Sequence, residues 1–139
     1  MRIVLDTNIW ISGLILPKST AGEILTAWQQ NKFNIVVSQP ILDELQKVLL
    51  YPKIQKRLHW DQNKVEHYLL LLQFFTELVA LKKRDIKITT VRDPNDTPIL
   101  ATLLVSQADY LVTGDNDLLC LKEHFPIIGL AEFHELINY

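Results

Sequence analysis

Apolar residues along the chain gather in short runs, and two of these runs, far apart in sequence, end in a carboxylate. Residues 2 to 6, Arg-Ile-Val-Leu-Asp, carry a β-branched stretch into Asp6; residues 110 to 113, Tyr-Leu-Val-Thr, pass through Gly114 to Asp115, Asn116 and Asp117. Short continuous apolar runs closed by turn residues predict buried strands. Residues 9 to 16 support a short helix, with Gly13 as a close-packing point and Pro17 as its stop. A helix over 20 to 30 follows, capped by Ser19 or Thr20, with Ile24, Leu25 and Trp28 on one face. Ile35 to Val37 reads as the second buried strand.

Ser38 ends that strand and can cap a helix over 39 to 50, whose first turn accommodates Pro40. Its stripe is Ile41, Leu42, Leu45, Val48 and Leu49, and Glu44 stands at the edge of that stripe, able to face a neighbouring crevice. Pro52 opens a short helix to residue 59, and Asp61 caps a longer one through Thr76. Leu78 to Leu81 and Ile86 to Val91 are two possible strands, and residues 92 to 96, Arg-Asp-Pro-Asn-Asp, form a turn. A helix from Asp96 to about Ser106, the strand 110 to 113, a short helix 116 to 122, a last strand at Ile127 and Ile128 and a helix 130 to 137 complete the chain. Strand followed by helix predicts a single domain over residues 1 to 139, a three-layer α/β/α sandwich around a mainly parallel central sheet of four or five strands.

Composition narrows the picture. A hydrophobic content of 48% in 139 residues fits one well-buried α/β core. The longest apolar runs are too short to span a bilayer, and no export leader precedes the first strand, so the expectation is a cytoplasmic protein with no membrane partner. Cys120 is the only cysteine, which excludes an intrachain disulfide and a cysteine-cluster zinc site; it is expected on the apolar side of its short helix. His59 and His67 lack metal-ligand spacing. The net charge of −2 gives no general attraction to nucleic acid, although an acidic pocket can sit beside a local basic surface. The apolar supply between residues 20 and 75, including Trp28, Tyr68, Leu71, Phe74 and Phe75, exceeds what one helix face needs and predicts a homodimer.

The candidate chemistry lies in the acids. Asp6 and Asp115 follow strands, Glu44 lies in the helix after the second strand, and Asp96 stands at a helix N-terminus; Asp93 and Asp117 are near enough in sequence to join them. Each has an ordinary role available, Asp115 and Asp96 as helix caps and Glu44 as a solvated helical acid. If the strands are neighbours, however, their ends share the crevice where open α/β sheets bind ligands. Like charges gathered there repel one another unless a cation neutralises them, and oxygen donors suit Mg²⁺ or Mn²⁺. Such a site supports attack of water on a phosphodiester, with one or two ions. No Ser-His-Asp order offers a competing nucleophile.

Four segments carry a resemblance to the PIN-domain family, often found as the toxin of a prokaryotic toxin-antitoxin pair: Ile-Val-Leu-Asp-Thr-Asn-Ile at 3 to 9, Ile-Leu-Asp-Glu-Leu at 41 to 45, Arg-Asp-Pro-Asn-Asp at 92 to 96 and Leu-Val-Thr-Gly-Asp-Asn-Asp-Leu-Leu at 111 to 119. They span the chain in the family's order. The resemblance implies metal-binding acids at Asp6, Glu44, Asp96 and Asp115, with Asp117 in support and Thr7, Asn8 and Thr113 as nearby polar residues; Asp93 and Asn116 flank them. It implies a Mg- or Mn-dependent endoribonuclease that cuts single-stranded RNA, assembles as a homodimer and is restrained by a cognate antitoxin. The alternative within the same resemblance is a catalytically inactive PIN-like module that binds RNA or protein. A phosphotransferase of the haloacid-dehalogenase type has a second Asp where this chain has Asn8, and a receiver domain has paired acids near its first strand and a late strand-end Lys that are missing here.

Overall fold

The computed structural model describes residues 1–82, 85 and 97–138. Among the described residues five strands, β1 (Arg2–Leu5), β2 (Asn34–Ser38), β3 (Glu77–Val79), β4 (Tyr110–Thr113) and β5 (Ile127–Gly129), form one sheet in the order β3-β2-β1-β4-β5. Every neighbouring pair is parallel. The helices among the described residues are α1 (Thr7–Ile15), α2 (Thr20–Gln29), α3 (Gln39–Leu49), α4 (Pro52–Leu58), α5 (Gln62–Phe75), α6 (Thr97–Ser106), α7 (Asn116–Leu119) and α8 (Leu130–Ile137). None is long and apolar enough to cross a membrane. The expected strand at 86 to 91 and the turn at 92 to 96 lie outside the described residues.

The three layers follow from the two-residue period of the strands. Ile3, Leu5, Ile35, Val37 and Val112 point into a core shared with α1, α2, α3, α5 and α8, whereas Val4, Val36, Leu111 and Ile127 point to the opposite side, against α6 and Leu118 of α7. Both faces are covered, which is why these strands are apolar without alternation.

Side-chain caps fix the starts of α2 and α5. The Ser19 hydroxyl accepts from the Gly22 amide at 3.1 Å and Asp61 Oδ1 from the Lys64 amide at 2.8 Å, each capping the helix that follows. α1 and α2 approach closely at Gly13, where a Cβ would come within 2.6 Å of Leu25 Cδ1 and 3.0 Å of the Ala21 carbonyl oxygen. Two expectations are corrected. Cys120 is exposed just beyond α7, its thiol donating to the Asp117 carbonyl at 3.0 Å, because the helix ends at Leu119 and Leu118 takes the buried position. Ser38 stands at the N-cap of α3 without making a side-chain cap bond. Pro40 in the first turn removes one of the amides a cap uses, and the Ser38 hydroxyl turns inward to Thr102 Oγ1 at 2.7 Å.

That inward bond ties α6 to the carboxyl end of β2. Thr102 donates to the Pro98 carbonyl at 2.7 Å, so the proton between the two hydroxyls belongs to Ser38. Removing the Ser38 hydroxyl leaves Thr102 with its donor satisfied, whereas removing the Thr102 hydroxyl strands a fully buried Ser38. Urea denaturation is therefore expected to show a loss of about 1 kcal/mol for Ser38→Ala and a larger one, about 1–3 kcal/mol, for Thr102→Val. The reverse order would contradict this proton assignment.

Candidate functional site

The strand order reverses direction at β1: the chain builds outward from it to β2 and β3, then returns to its other side with β4 and β5. A crevice outside the carboxyl ends of β1 and β4 results, which is where sheets of this kind bind ligands. Leu5 pairs with Val112, so Asp6 and Thr113 leave adjacent strands at the same level. The Asp6 amide donates to the Val112 carbonyl at 3.1 Å, extending the pairing by one step.

Asp6 is 6% exposed, at the N-cap of α1, yet its side chain makes no cap bond to the helix. Its Oδ2 instead accepts from the buried Thr113 hydroxyl at 2.8 Å. Thr113 Oγ1 in turn accepts from the Asp115 amide at 3.0 Å. One threonine hydroxyl thus links a carboxylate after β1 to the backbone that carries the carboxylate after β4. Burial raises the Asp6 pKa above its ordinary 3.8; the Thr113 hydrogen bond opposes this, the Asp115 charge adds to it, the Thr7 amide opposes it and the Glu44 charge adds to it. Asp6 therefore feels the charges of both Asp115 and Glu44.

Asp115 serves two ends. Its Oδ1 caps α7 by accepting from the Asp117 amide at 2.9 Å, the ordinary role open to it, while the residue also lines a cleft beside Asp6. Glu44 is exposed on α3, and its Oε2 accepts from the buried Thr7 hydroxyl at 3.3 Å; it is not among the residues that line the cleft. Asn8 is exposed and lines the cleft. Asn116 opens α7, and Asp117 joins the site through its amide. Asp93 and Asp96 lie outside the described residues.

The donor chemistry suits a hard divalent cation, because the side chains at the crevice offer carboxylate, hydroxyl and amide oxygens. Among the described residues no three of His, Cys, Asp and Glu stand together as a closed metal-holding group. Mg²⁺ commonly takes one or two protein carboxylates and completes its shell with water and substrate phosphate. The Asp6 and Asp115 carboxylates fit that partial set.

The cleft has a volume of about 280 Å³ and includes residues that the acid pattern did not single out, Ile9, Ser12, Ala21, Gly114 and Leu130. Ser12 was signalled in part: with Asn8 it forms a polar pair four residues apart in an otherwise apolar segment. Leu130 carried no such signal, since only the packing of α8 brings it here. Gly114 makes the turn out of β4 without a left-handed backbone.

The raised Asp6 pKa fixes the sign of a stability effect. An acid whose folded pKa lies above its unfolded value destabilises the fold once pH rises through those values, and has no such effect below both. In metal-free protein, Asp6→Asn is expected to raise the melting temperature at pH 7 by a few degrees, on the order of 1 kcal/mol. The gain should vanish below the ordinary carboxylate value of 3.8. Thermal scans across pH that show a loss at neutral pH would contradict the assignment.

Comparison with known proteins places the chain in context. The uncharacterized protein MJ1680 of Methanocaldococcus jannaschii is 28% identical over 134 residues, spanning 96% of this chain and 83% of that relative. Among solved structures, a chain in the crystal structure of VapBC2 from Rickettsia felis bound to a DNA fragment from their promoter superposes with a TM-score of 0.60 and 18% identity, covering 93% of this chain and 98% of that one. This likeness concerns the fold. The sequence profile of the PIN domain matches residues 2–117. With β1, β4 and the acids that follow both strands inside that match, the chain belongs to the PIN-domain family.

Proposed function

We propose that this protein is a Mg- or Mn-dependent endoribonuclease that cuts single-stranded RNA, acting in the cytoplasm as the toxin of a toxin-antitoxin pair, with the whole of residues 1–139 as one PIN-like domain. The observation that carries the reading is the buried Asp6 carboxylate, held by Thr113 at the switch point of the sheet within electrostatic reach of Asp115 and Glu44. Family membership and the fold likeness to a VapBC2 chain support it.

In this reading Asp6, Asp96 and Asp115 hold the cation, with Asp117 in support and Asp93 and Asn116 flanking. When bound, the cation acidifies water and stabilises charge on the phosphoryl oxygens. Thr113 keeps the Asp6 carboxylate turned into the crevice, and the Thr7 hydroxyl holds one oxygen of Glu44. Glu44 Oε1, the oxygen that Thr7 does not engage, takes the proton from water as the water oxygen attacks phosphorus and the bond from phosphorus to the leaving sugar oxygen breaks. Solvent returns a proton to that sugar oxygen. Asn8 contacts the bound strand beside the acids.

A second reading is a PIN-like module that binds RNA or protein without cutting: among the described residues no three of His, Cys, Asp and Glu form a metal-holding group, and Asp96 lies outside them. Purified protein free of antitoxin, incubated with single-stranded and structured RNAs and matching DNA, separates the two. Cleavage of unstructured RNA is expected with Mn²⁺ or Mg²⁺ and none with chelator. Asp6→Asn and Asp96→Asn should abolish it, and Glu44→Gln should slow it by about 100-fold or more. Binding without cleavage under every metal condition would favour the module, and cleavage that persists in chelator would refute the metal-dependent mechanism.

The same proposal includes a homodimer. Phe74 and Phe75 of α5 are 77% and 68% exposed, with Leu70 and Leu71 also exposed on that helix, beside a hollow of about 400 Å³ lined in part by Trp28 and Tyr68. Apolar surface concentrated in this way marks an interaction face. Sedimentation at tens of micromolar is expected to give twice the 16.1 kDa chain mass, and Phe74→Asp with Phe75→Asp to halve it. A wild-type monomer at that concentration would exclude a stable dimer.

A further inference from the structure

The cleft beside the acids has features that holding a cation does not explain. Three of its walls are apolar, with Ile9 from α1, Ala21 from α2 and Leu130 from α8, and its polar groups besides Asp6 and Asp115 are Asn8 and Ser12. These two are four residues apart on α1, hence one above the other on a single helix face, and both are exposed. Among the described residues no Lys or Arg lines the cleft. An anionic group entering it alone would meet two carboxylates, with no cationic side chain among the described residues of the wall to offset them.

Gly114 adds an independent observation. Glycine at Gly13 and Gly22 is forced by packing, since a Cβ there would lie within 2.6 Å and 2.2 Å of neighbouring atoms. At Gly114 a Cβ would meet nothing within 4 Å, and the backbone is not left-handed. Neither packing nor conformation requires glycine at this position on the cleft wall, next to Asp115. What its missing side chain leaves is open space for a ligand to approach the backbone.

We infer that this cleft seats the uncharged nucleoside adjacent to the scissile phosphate, an assignment that rests on the nuclease reading and gives its substrate a defined docking position. A nucleoside has two apolar faces, which suit Ile9 and Leu130, and polar edges, which suit the Asn8 amide and the Ser12 hydroxyl as donors and acceptors. The cleft volume of about 280 Å³ is near the lower end for ligand pockets, room for one nucleoside and not for a paired base. Its phosphate then lies at the end of the cleft lined by Asp6 and Asp115, beside the cation they would hold. A splayed single strand can deliver a base in this way; a stacked duplex cannot.

Two measurements test the assignment, one of them independent of catalysis. In the metal-free protein, ¹⁵N-resolved NMR can follow the Gly114 amide, one of four glycines in the chain, identified by its loss in Gly114→Ala. Titration with adenosine, guanosine, cytidine and uridine, each at millimolar concentration, is expected to move the Gly114 and Ser12 amides with at least one nucleoside, and Gly114→Leu to abolish that response. On RNA with Mn²⁺, Gly114→Leu is expected to raise KM at least about 10-fold and Ser12→Ala about 3- to 10-fold, the loss of one hydrogen bond. Ser12→Ala should not alter the rise in melting temperature that Mn²⁺ produces. Gly114→Ala, which projects less far, should give a smaller KM change and serves if the leucine variant does not fold. RNA cleavage with KM unchanged in these variants, or nucleosides that leave Gly114 unmoved, would overturn the subsite while leaving the nuclease reading intact. Nucleoside binding without any RNA cleavage would support the cleft assignment and overturn the nuclease reading instead.

Discussion

The parallel pairing of β1 with β4 is the constraint on which the site depends. Asp6 and Thr113 are 107 residues apart in the chain, and the alignment of Leu5 with Val112 is what brings them to one level at the sheet's carboxyl edge. A slip of one residue would turn Val4 and Leu111 toward the wrong cores and separate the threonine from the carboxylate. The register is held by burial on both faces, so the same apolar side chains that stabilise the fold also set the position of the chemistry. Placing β1 at the centre, with β2 on one side and β4 on the other, makes the crevice between them the switch point.

Against that frame works a cost of charge. A carboxylate that is 6% exposed and near two other acids is unfavourable in its ionised form, and its raised pKa is the measure of this. Thr113 offsets part of it with a hydrogen bond, and so does the Thr7 amide. The arrangement nevertheless stays poised for a positive ion, since hydrogen bonds to neutral groups do not cancel like-charge repulsion. The fold thus holds a locally unfavourable cluster in place by the stability of its surroundings, as functional sites commonly do.

Much of this was legible in the sequence because the central strands are short, uninterrupted apolar runs and each ends in a residue type that a core excludes. The carboxylates after 3 to 5 and 110 to 113 therefore announced the sheet edge and marked Asp6 and Asp115 as candidate site acids. The exposed position of Glu44 on α3 was legible from its place at the edge of a helical stripe. What local pattern could not convey were contacts made by distant segments. Ser38 reads as a helix cap until Thr102 is seen to take its hydroxyl, and Cys120 reads as buried until α7 is seen to stop at Leu119. The cleft walls at Ser12, Gly114 and Leu130 come from three separate elements, and no spacing within any one of them reveals that they face a common space. The expected roles of Asp93 and Asp96 fall on residues outside those described.

The central claim is that Asp6 and Asp115 share a divalent cation at the crevice. Anomalous X-ray scattering from crystals soaked in Mn²⁺ tests it most directly, because the peak identifies the ion and its position together. The account predicts a peak about 2.1–2.3 Å from a carboxylate oxygen of Asp6 and from one of Asp115, the usual range for a small divalent ion on oxygen donors. A crevice without a peak at saturating Mn²⁺, or a peak bound elsewhere on the chain with Asp6 left uncoordinated, would contradict it.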